Sequence, residues 1–153
     1  MAKKRGKGKK KSKFAFNFDE FDELAEKLDR AGGSIREAAD RGLKGSHAFI
    51  TPNLAAGIAR HHRSGETGES LDVGGGVVWE NPLKAHVNIG FNLKDGGVPS
   101  IFLMWGTPKH GNHPGIASDG KLKNAAFGAK VKREVANIQR REMEKALQDI
   151  TRG

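Results

Sequence analysis

The sequence predicts an α+β domain: an antiparallel sheet packed against N-terminal helices and a long C-terminal helix, behind a disordered basic N-terminal tail. Three observations lead there. Residues 85–93 alternate, with Ala85, Val87, Ile89, Phe91 and Leu93 on one side and His86, Asn88, Gly90 and Asn92 on the other. That is the pattern of a strand with one buried and one wet face in an antiparallel sheet. Apolar residues recur at helical spacing from about 34 to 63 and again from Leu122 to Ile150. The elements run strand, helices, sheet, helix, an order that segregates the helices onto one sheet.

Each element has its own signal. Phe14, Phe16 and Phe18 alternate with Ala15 and Asn17, which predicts a short strand. Asp19 caps a first helix, whose Phe21, Leu24, Ala25 and Leu28 share one face, and Gly32-Gly33 stops it. Ser34 with Glu37 forms a capping box for a second helix. Its stripe is Ile35, Ala38, Ala39, Leu43, Phe49 and Ile50, and Leu54, Ala55, Ile58 and Ala59 continue it beyond Pro52. Pro52 suits a kink or a new helix start, so two helical segments are expected. Residues 64–76, SGETGESLDVGGG, are rich in turn formers. Val77-Val78-Trp79 reads as a short strand, residues 85–93 as the main one, and Asp95-Gly96-Gly97 as a turn. The apolar run Ile101–Trp105 predicts a further strand or buried segment before the loop of residues 106–115. Asp119 caps a last helix with apolar positions Leu122, Ala126, Val131, Val135, Ile138, Met143, Ala146, Leu147 and Ile150. The chain contains no internal repeat.

At 153 residues one domain is expected, here residues 14–153, with 36% hydrophobic residues to build its core. Cysteine is absent, which excludes disulfides, thiolate metal sites and a cysteine nucleophile. No apolar run approaches the ~18 residues of a membrane span. No apolar segment follows the charged N-terminus, so it does not read as a secretory signal and the chain reads as cytoplasmic at synthesis. The net charge of +9 is local. Residues 1–13 carry Lys3, Lys4, Arg5, Lys7, Lys9, Lys10, Lys11 and Lys13 and no acid. Removing those eight from the 27 basic residues leaves 19 against 18 acidic ones, so the body is nearly neutral. A tail this polar cannot offset its ordering entropy, which predicts disorder. Extended, it reaches about 45 Å. Its lysines suit non-specific contact with DNA phosphates or with an acidic protein surface.

The motifs of catalysis are missing. There is no phosphate-cradling G-x-x-x-x-G-K-[ST], no H-E-x-x-H and no calcium loop. Gly74-Gly75-Gly76 lacks the strand-to-helix setting of a dinucleotide site, and no G-x-S-x-G frames a serine. His110 and His113 could share a metal with Asp119, but imidazoles among Gly, Asn and Pro read more simply as a solvated loop. His61-His62 stands near a helix C-terminus, where positive charge is favourable. The expectation is a chain that is no enzyme and has no cofactor or metal.

Four features together resemble the tail-component family of long-tailed bacteriophages, typified by the Hong Kong 97 phage. They span most of residues 14–150. The first is an acidic opening helix with Leu24 and Leu28, followed by a long alanine-rich helix. The second is SGETGESLDV, which resembles a family turn at Thr67, Gly68, Ser70 and Leu71. The third is an apolar strand running into Gly-Thr, here Phe102, Leu103, Gly106 and Thr107, with a proline close behind. The fourth is the closing helix, DGKLKNAAFGAKVKREVANIQRREMEKAL. Many relatives carry an acidic residue or tyrosine near the Gly-Thr, where this chain has Met104-Trp105, and the lysine tail lies outside the family pattern.

The resemblance implies a structural virion protein of the neck or tail. Such a protein acts in tail completion and head–tail joining, as a ring around the DNA passage. It is made in the host cytoplasm and resides in the virion. Its partners would be copies of itself, with a hexamer expected because such tails are sixfold, the head-closure and tail-terminator proteins, and the passing phage DNA. The expected contact segments are the two glycine-rich loops: Ser64, Thr67, Gly68 and Ser70 in one, and Gly106, Thr107, Pro108, His110 and His113 in the other. Their glycines suggest loops that order on docking. The rival from another class is a nucleic-acid-binding module built on the lysine tail, with Trp79, Phe91 and Trp105 as stacking residues. A further rival is a small metal-dependent hydrolase using His61, His62, His110 and His113.

Overall fold

The computed structural model describes residues 35–61 and 64–152. The strand at Phe14–Phe18, the helix opened by Asp19, the Ser34 half of the capping box, the lysine tail and His62 lie outside the described residues. In chain order the elements are α1 (Ile35–Ala59), α2 (Glu66–Glu69), β1 (Val77–Asn81), β2 (Lys84–Val87), α3 (Val98–Trp105), α4 (Gly120–Phe127) and α5 (Ala129–Arg152). Among the described residues a two-stranded antiparallel sheet lies against α1 and the other elements are helices, so the fold is α+β with a long C-terminal helix.

Helix α1 runs unbroken through Pro52, where the sequence suggested two segments. Proline removes one amide donor, leaving the Ala48 carbonyl without its i+4 partner. Ala48 and Pro52 are both exposed, so water can take that place. Ala38, Ala39, Leu43, Ile50, Leu54 and Ile58 are buried as the stripe predicts, whereas Ala55 and Ala59 face solvent.

The expected closing helix is two helices. Gly128 sits between them in extended conformation (φ −64°, ψ 150°), and a Cβ there would fall 2.6 Å from Asn124 O. Helix α5 then lies along α1, and small residues set the approach. A Cβ on Gly42 would stand 3.3 Å from Gln139 Cγ, and one on Gly45 would stand 2.9 Å from Ile138 Cγ2. Ser46, fully buried between them, donates to Gly42 O (2.7 Å) and accepts from Gln139 Nε2 (3.2 Å). Arg41 closes the edge with Glu142 at 2.8 Å.

Two apolar clusters divide the core along α1. Leu43 packs with Ala85 and Val87 of β2. Further along, Ile50, Leu54 and Ile58 pack with Leu71, Met104, Leu122, Ala126, Val131 and Val135. Strand β1 pairs with β2 through Val77↔Val87, Val78↔His86 and Trp79↔Ala85. The long strand expected over residues 85–93 stops at Val87. Gly90 takes φ 133°, which turns the chain away from β1. It then pairs with residues 70–72 instead, with Asp72 N donating to Gly90 O (2.9 Å) and Asn92 N to Ser70 O (2.7 Å). Ile89 and Phe91 stay half-buried against the core, and Leu93 is exposed.

The largest departure is α3. The run Ile101–Trp105, expected as a strand or buried segment, is the body of a helix that begins at Val98. Pro99 in the first turn needs no amide partner and presets the helical φ. Ser100 is buried, its hydroxyl donating to Gly97 O (2.6 Å). Gly97 is required by space, since a Cβ would lie 2.5 Å from Asn92 O.

Candidate functional site

Helix α3 has apolar residues on every side, and only one side is used by the core. Met104 is buried and Leu103 packs against the core behind it. Val98, Ile101, Phe102 and Trp105 follow at spacings of three, four and seven and share the outer face. They are 43%, 40%, 45% and 51% exposed, so four large apolar side chains form one solvent-facing stripe. Trp105 is held by an edge-on contact with Phe127 (5.3 Å between centroids), and Lys123 Nζ stands 5.6 Å from its ring centroid. Scattered exposed leucines are ordinary, and a contiguous stripe of this kind makes α3 the candidate interaction surface.

The loop after α3 is a β-ribbon. Gly106 ends the helix at φ 73°, its amide donating to Phe102 O (2.7 Å). Thr107 and Ile116 then exchange backbone bonds (2.8 and 3.2 Å), and Thr107 Oγ1 also accepts from Ile116 N at 2.9 Å. His110 and His113 do the same (3.2 and 3.0 Å) across a two-residue turn, with Gly111 at φ 56° in its first central position. The expected free loop is therefore a paired hairpin with an exposed tip. Glycine is needed at both ends of it. A Cβ on Gly106 would meet Ile116 O at 2.6 Å, and one on Gly115 would meet Thr107 O at 2.5 Å.

Asp119 ties the ribbon's exit to three helices. Its amide donates to Leu103 O in α3 (2.7 Å). Its Oδ1 accepts from the amides of Lys121 and Leu122 (2.8 and 3.0 Å), which is the cap the sequence predicted for α4. Its Oδ2 accepts from His61 Nε2 (2.7 Å) and Arg60 Nη2 (3.2 Å), just beyond the end of α1. The His61 ring N–H, then the Leu122 amide, then Arg60 and the Lys121 amide hold the Asp119 carboxyl well below the usual carboxylate range, against the opposing effect of partial desolvation.

The other expected contact segment is also structured. Residues 66–69 form the short helix α2, and Ser70 is buried, donating its hydroxyl to Thr67 O (2.7 Å). His47, buried in α1, donates from Nε2 to Asp72 O (3.0 Å) and packs against Gly75, where a Cβ would come within 2.9 Å of the ring. Ser64 and Gly68 are exposed, Thr67 is half-buried, and Ser70 has no surface to offer a partner.

The two segments lie at opposite ends of α3. Gly96, in the turn before α3, touches Glu66 of α2, and the ribbon of Gly106, Thr107, Pro108, His110 and His113 follows its far end. The sequence reading found the ends and missed the helix that joins them. The usable signal was Gly96-Gly97 followed by proline two residues on, a helix-start pattern ahead of the apolar run. Of the three proposed stacking residues, Trp79 is half-buried with Arg36 4.7 Å over its ring, Phe91 is half-buried on the core, and Trp105 belongs to the stripe. Among the described residues no three His, Cys, Asp or Glu side chains gather closely enough to hold a metal ion. Comparison with family models, with curated proteins and with solved structures finds no match to this chain.

Proposed function

We propose that this chain is a structural virion protein of the neck or tail of a long-tailed bacteriophage, a member of the tail-component family. It acts in tail completion and head–tail joining as one subunit of a ring around the DNA passage. The observation that carries the reading is the solvent-facing stripe Val98, Ile101, Phe102 and Trp105, continuous with the Gly106-Thr107 ribbon that the family resemblance singles out. The resemblance over residues 14–150 supplies the setting. It implied a strand before Gly106-Thr107, and the helix found there is a departure from that pattern.

The work of such a protein is assembly. Each half-exposed stripe residue contributes about 1 kcal/mol when its remaining surface leaves water. Four on one rigid helix, flanked by α2 and the ribbon, make a contact of useful strength without a large rearrangement. A head-to-tail contact repeated by rotation closes a ring, with a hexamer expected to match a sixfold tail. The two ring faces then meet the head-closure and tail-terminator proteins, and the bore passes the phage DNA.

The test is complementation of a phage lacking the gene with Phe102→Glu and Trp105→Glu variants, with electron microscopy of the lysate. A buried unpaired charge opposes docking. The expected result is folded protein, filled heads and unjoined tails. Normal titres from the folded variants overturn the stripe as the contact surface. Absence of the wild-type protein from purified virions overturns the neck reading as a whole.

A further inference from the structure

The α3 stripe is apolar with charge at its edges, and the two ends differ. Glu66 and Asp95 lie at the end where α3 begins. At the other end stand Lys109 on the ribbon and Lys121 and Lys123 on α4, with Lys123 over the Trp105 ring. The acid nearest them, Asp119, already has four donors. The site therefore fits an occupant that is apolar, largely aromatic, and acidic where it meets the lysines.

One stretch of this chain has that chemistry and lies outside the described residues. Residues 14–28, FAFNFDEFDELAEKL, hold Phe14, Phe16, Phe18, Phe21, Leu24 and Leu28. Asp19, Glu20, Asp22, Glu23 and Glu26 stand among them against the single base Lys27. Residues 29–153 carry 18 bases against 13 acids, so the segment is an acidic stretch ahead of a basic remainder.

Reach separates the same chain from a neighbour. The described chain begins at Ile35, while the lysine-rich end of α3 is joined through Asp119 to His61, just past the other end of α1. Helix α1 spans about 36 Å from Ile35 to Ala59 at its usual rise. Residues 29–34 bridge no more than about 25 Å even when fully extended. A segment laid with Glu26 and Leu28 against those lysines therefore comes from a second copy, because neither residue reaches the lysine end of its own α3.

We propose that the Phe14–Leu28 segment of one copy docks on the Val98, Ile101, Phe102 and Trp105 stripe of the next, its acids against Lys109, Lys121 and Lys123. The contact is head-to-tail, with a donor segment and an acceptor stripe on every chain, so copies add in one direction until the ring closes. This deepens the assembly reading and rests on self-association, not on the phage setting.

The test uses two full-length variants: Phe21→Glu/Leu24→Glu, which spoils the segment, and Phe102→Glu, which spoils the stripe. Circular dichroism checks that each is folded, and sedimentation velocity reads the assembly. Wild type is expected to form rings, and each variant alone to associate at least tenfold more weakly. Mixed one to one, they are expected to form a heterodimer and nothing larger, because one intact segment meets one intact stripe. Raising the salt concentration weakens that dimer. Wild-type rings without the mixed heterodimer overturn the segment as occupant and leave self-assembly standing, as in a stripe-on-stripe contact. A wild type that stays monomeric at every concentration overturns both. Self-association that persists when both changes are carried on one chain also overturns the proposal.

Discussion

The orientation of α3 depends on how α4 seats on α1, and a double-mutant cycle at Gly57 and Leu122 tests that seat. Leu122 is fully buried, and Gly57 is buried opposite it on α1. A Cβ on Gly57 would fall 2.7 Å from Leu122 Cδ1, far inside the ~3.5–4.0 Å at which carbons attract. Gly57→Ala gains about 1 kcal/mol of helix propensity. It forces a packed leucine aside at a cost of about 1–3 kcal/mol, so the net change runs from neutral to about 2 kcal/mol of destabilisation. Leu122→Ala removes three carbons from a fully enclosed position and costs about 2–5 kcal/mol. In the double variant the new methyl points into the vacated space. The clash disappears, the helix gain is realised and part of the cavity is filled. The double variant is therefore expected to be more stable than Leu122→Ala alone by about 1 kcal/mol or more, with a coupling of about 1–3 kcal/mol. Urea unfolding followed by fluorescence of Trp79 and Trp105, the two tryptophans, measures each corner of the cycle. Additivity within about 0.5 kcal/mol at constant m-value refutes the close contact on which the argument stands.

Acid titration separates Asp119 from the other carboxylates. Its folded pKa lies below the ordinary 3.8, so the stability it contributes is fully present above that value and is lost as pH falls below it. The advantage of wild type over Asp119→Asn is expected to shrink steadily below about pH 4, and a constant gap in denaturation midpoints from pH 6 to pH 2 contradicts the assignment. Deleting residues 1–13 is expected to leave the melting temperature unchanged and to flatten the salt dependence of DNA binding; a large drop in melting temperature would show those residues packed against the body. The double change His110→Ala/His113→Ala alters exposed tip residues, and is expected to cost less than about 1 kcal/mol. Stoichiometric zinc lost with that change would revive the hydrolase reading. Gly106→Ala places a Cβ against Ile116 O at a positive φ, and loss of amide-exchange protection at Thr107 and Ile116 is its expected signature.

The sequence disclosed most clearly those elements with one buried side. Helix α1 shows this at Leu43, Ile50, Leu54 and Ile58, and α5 at Val131 and Val135, each with polar residues between. The Asp119 cap was legible because a carboxylate ahead of a helix has a specific local task. Helix α3 was not, because Ile101–Trp105 is apolar on both sides and five consecutive apolar residues carry no period. The same ambiguity concealed the site. A stripe facing water and a stripe facing the core have the same spelling, and only tertiary packing distinguishes Phe102 from Met104. The strand over residues 85–93 was overextended for a different reason: its alternation continues past Gly90, but the partner strand does not. The His47 contact to Asp72 O and the Gln139 contact to Ser46 likewise join residues far apart in sequence, which no local pattern encodes.

Asp119 also determines how the molecule would respond to mechanical load. Tension applied to the ribbon cannot peel α3 away one bond at a time, because the strand leaving the ribbon is anchored by the Asp119 amide to Leu103 O and by its carboxylate to the ends of α1 and α4. A pull on the tip is divided at that residue, and much of it passes into α1, the 25-residue helix against which the rest of the domain is assembled. Bonds strained together in shear yield at higher force than bonds unzipped in sequence, so the clasp makes the outer surface a stiff attachment point rather than a compliant one.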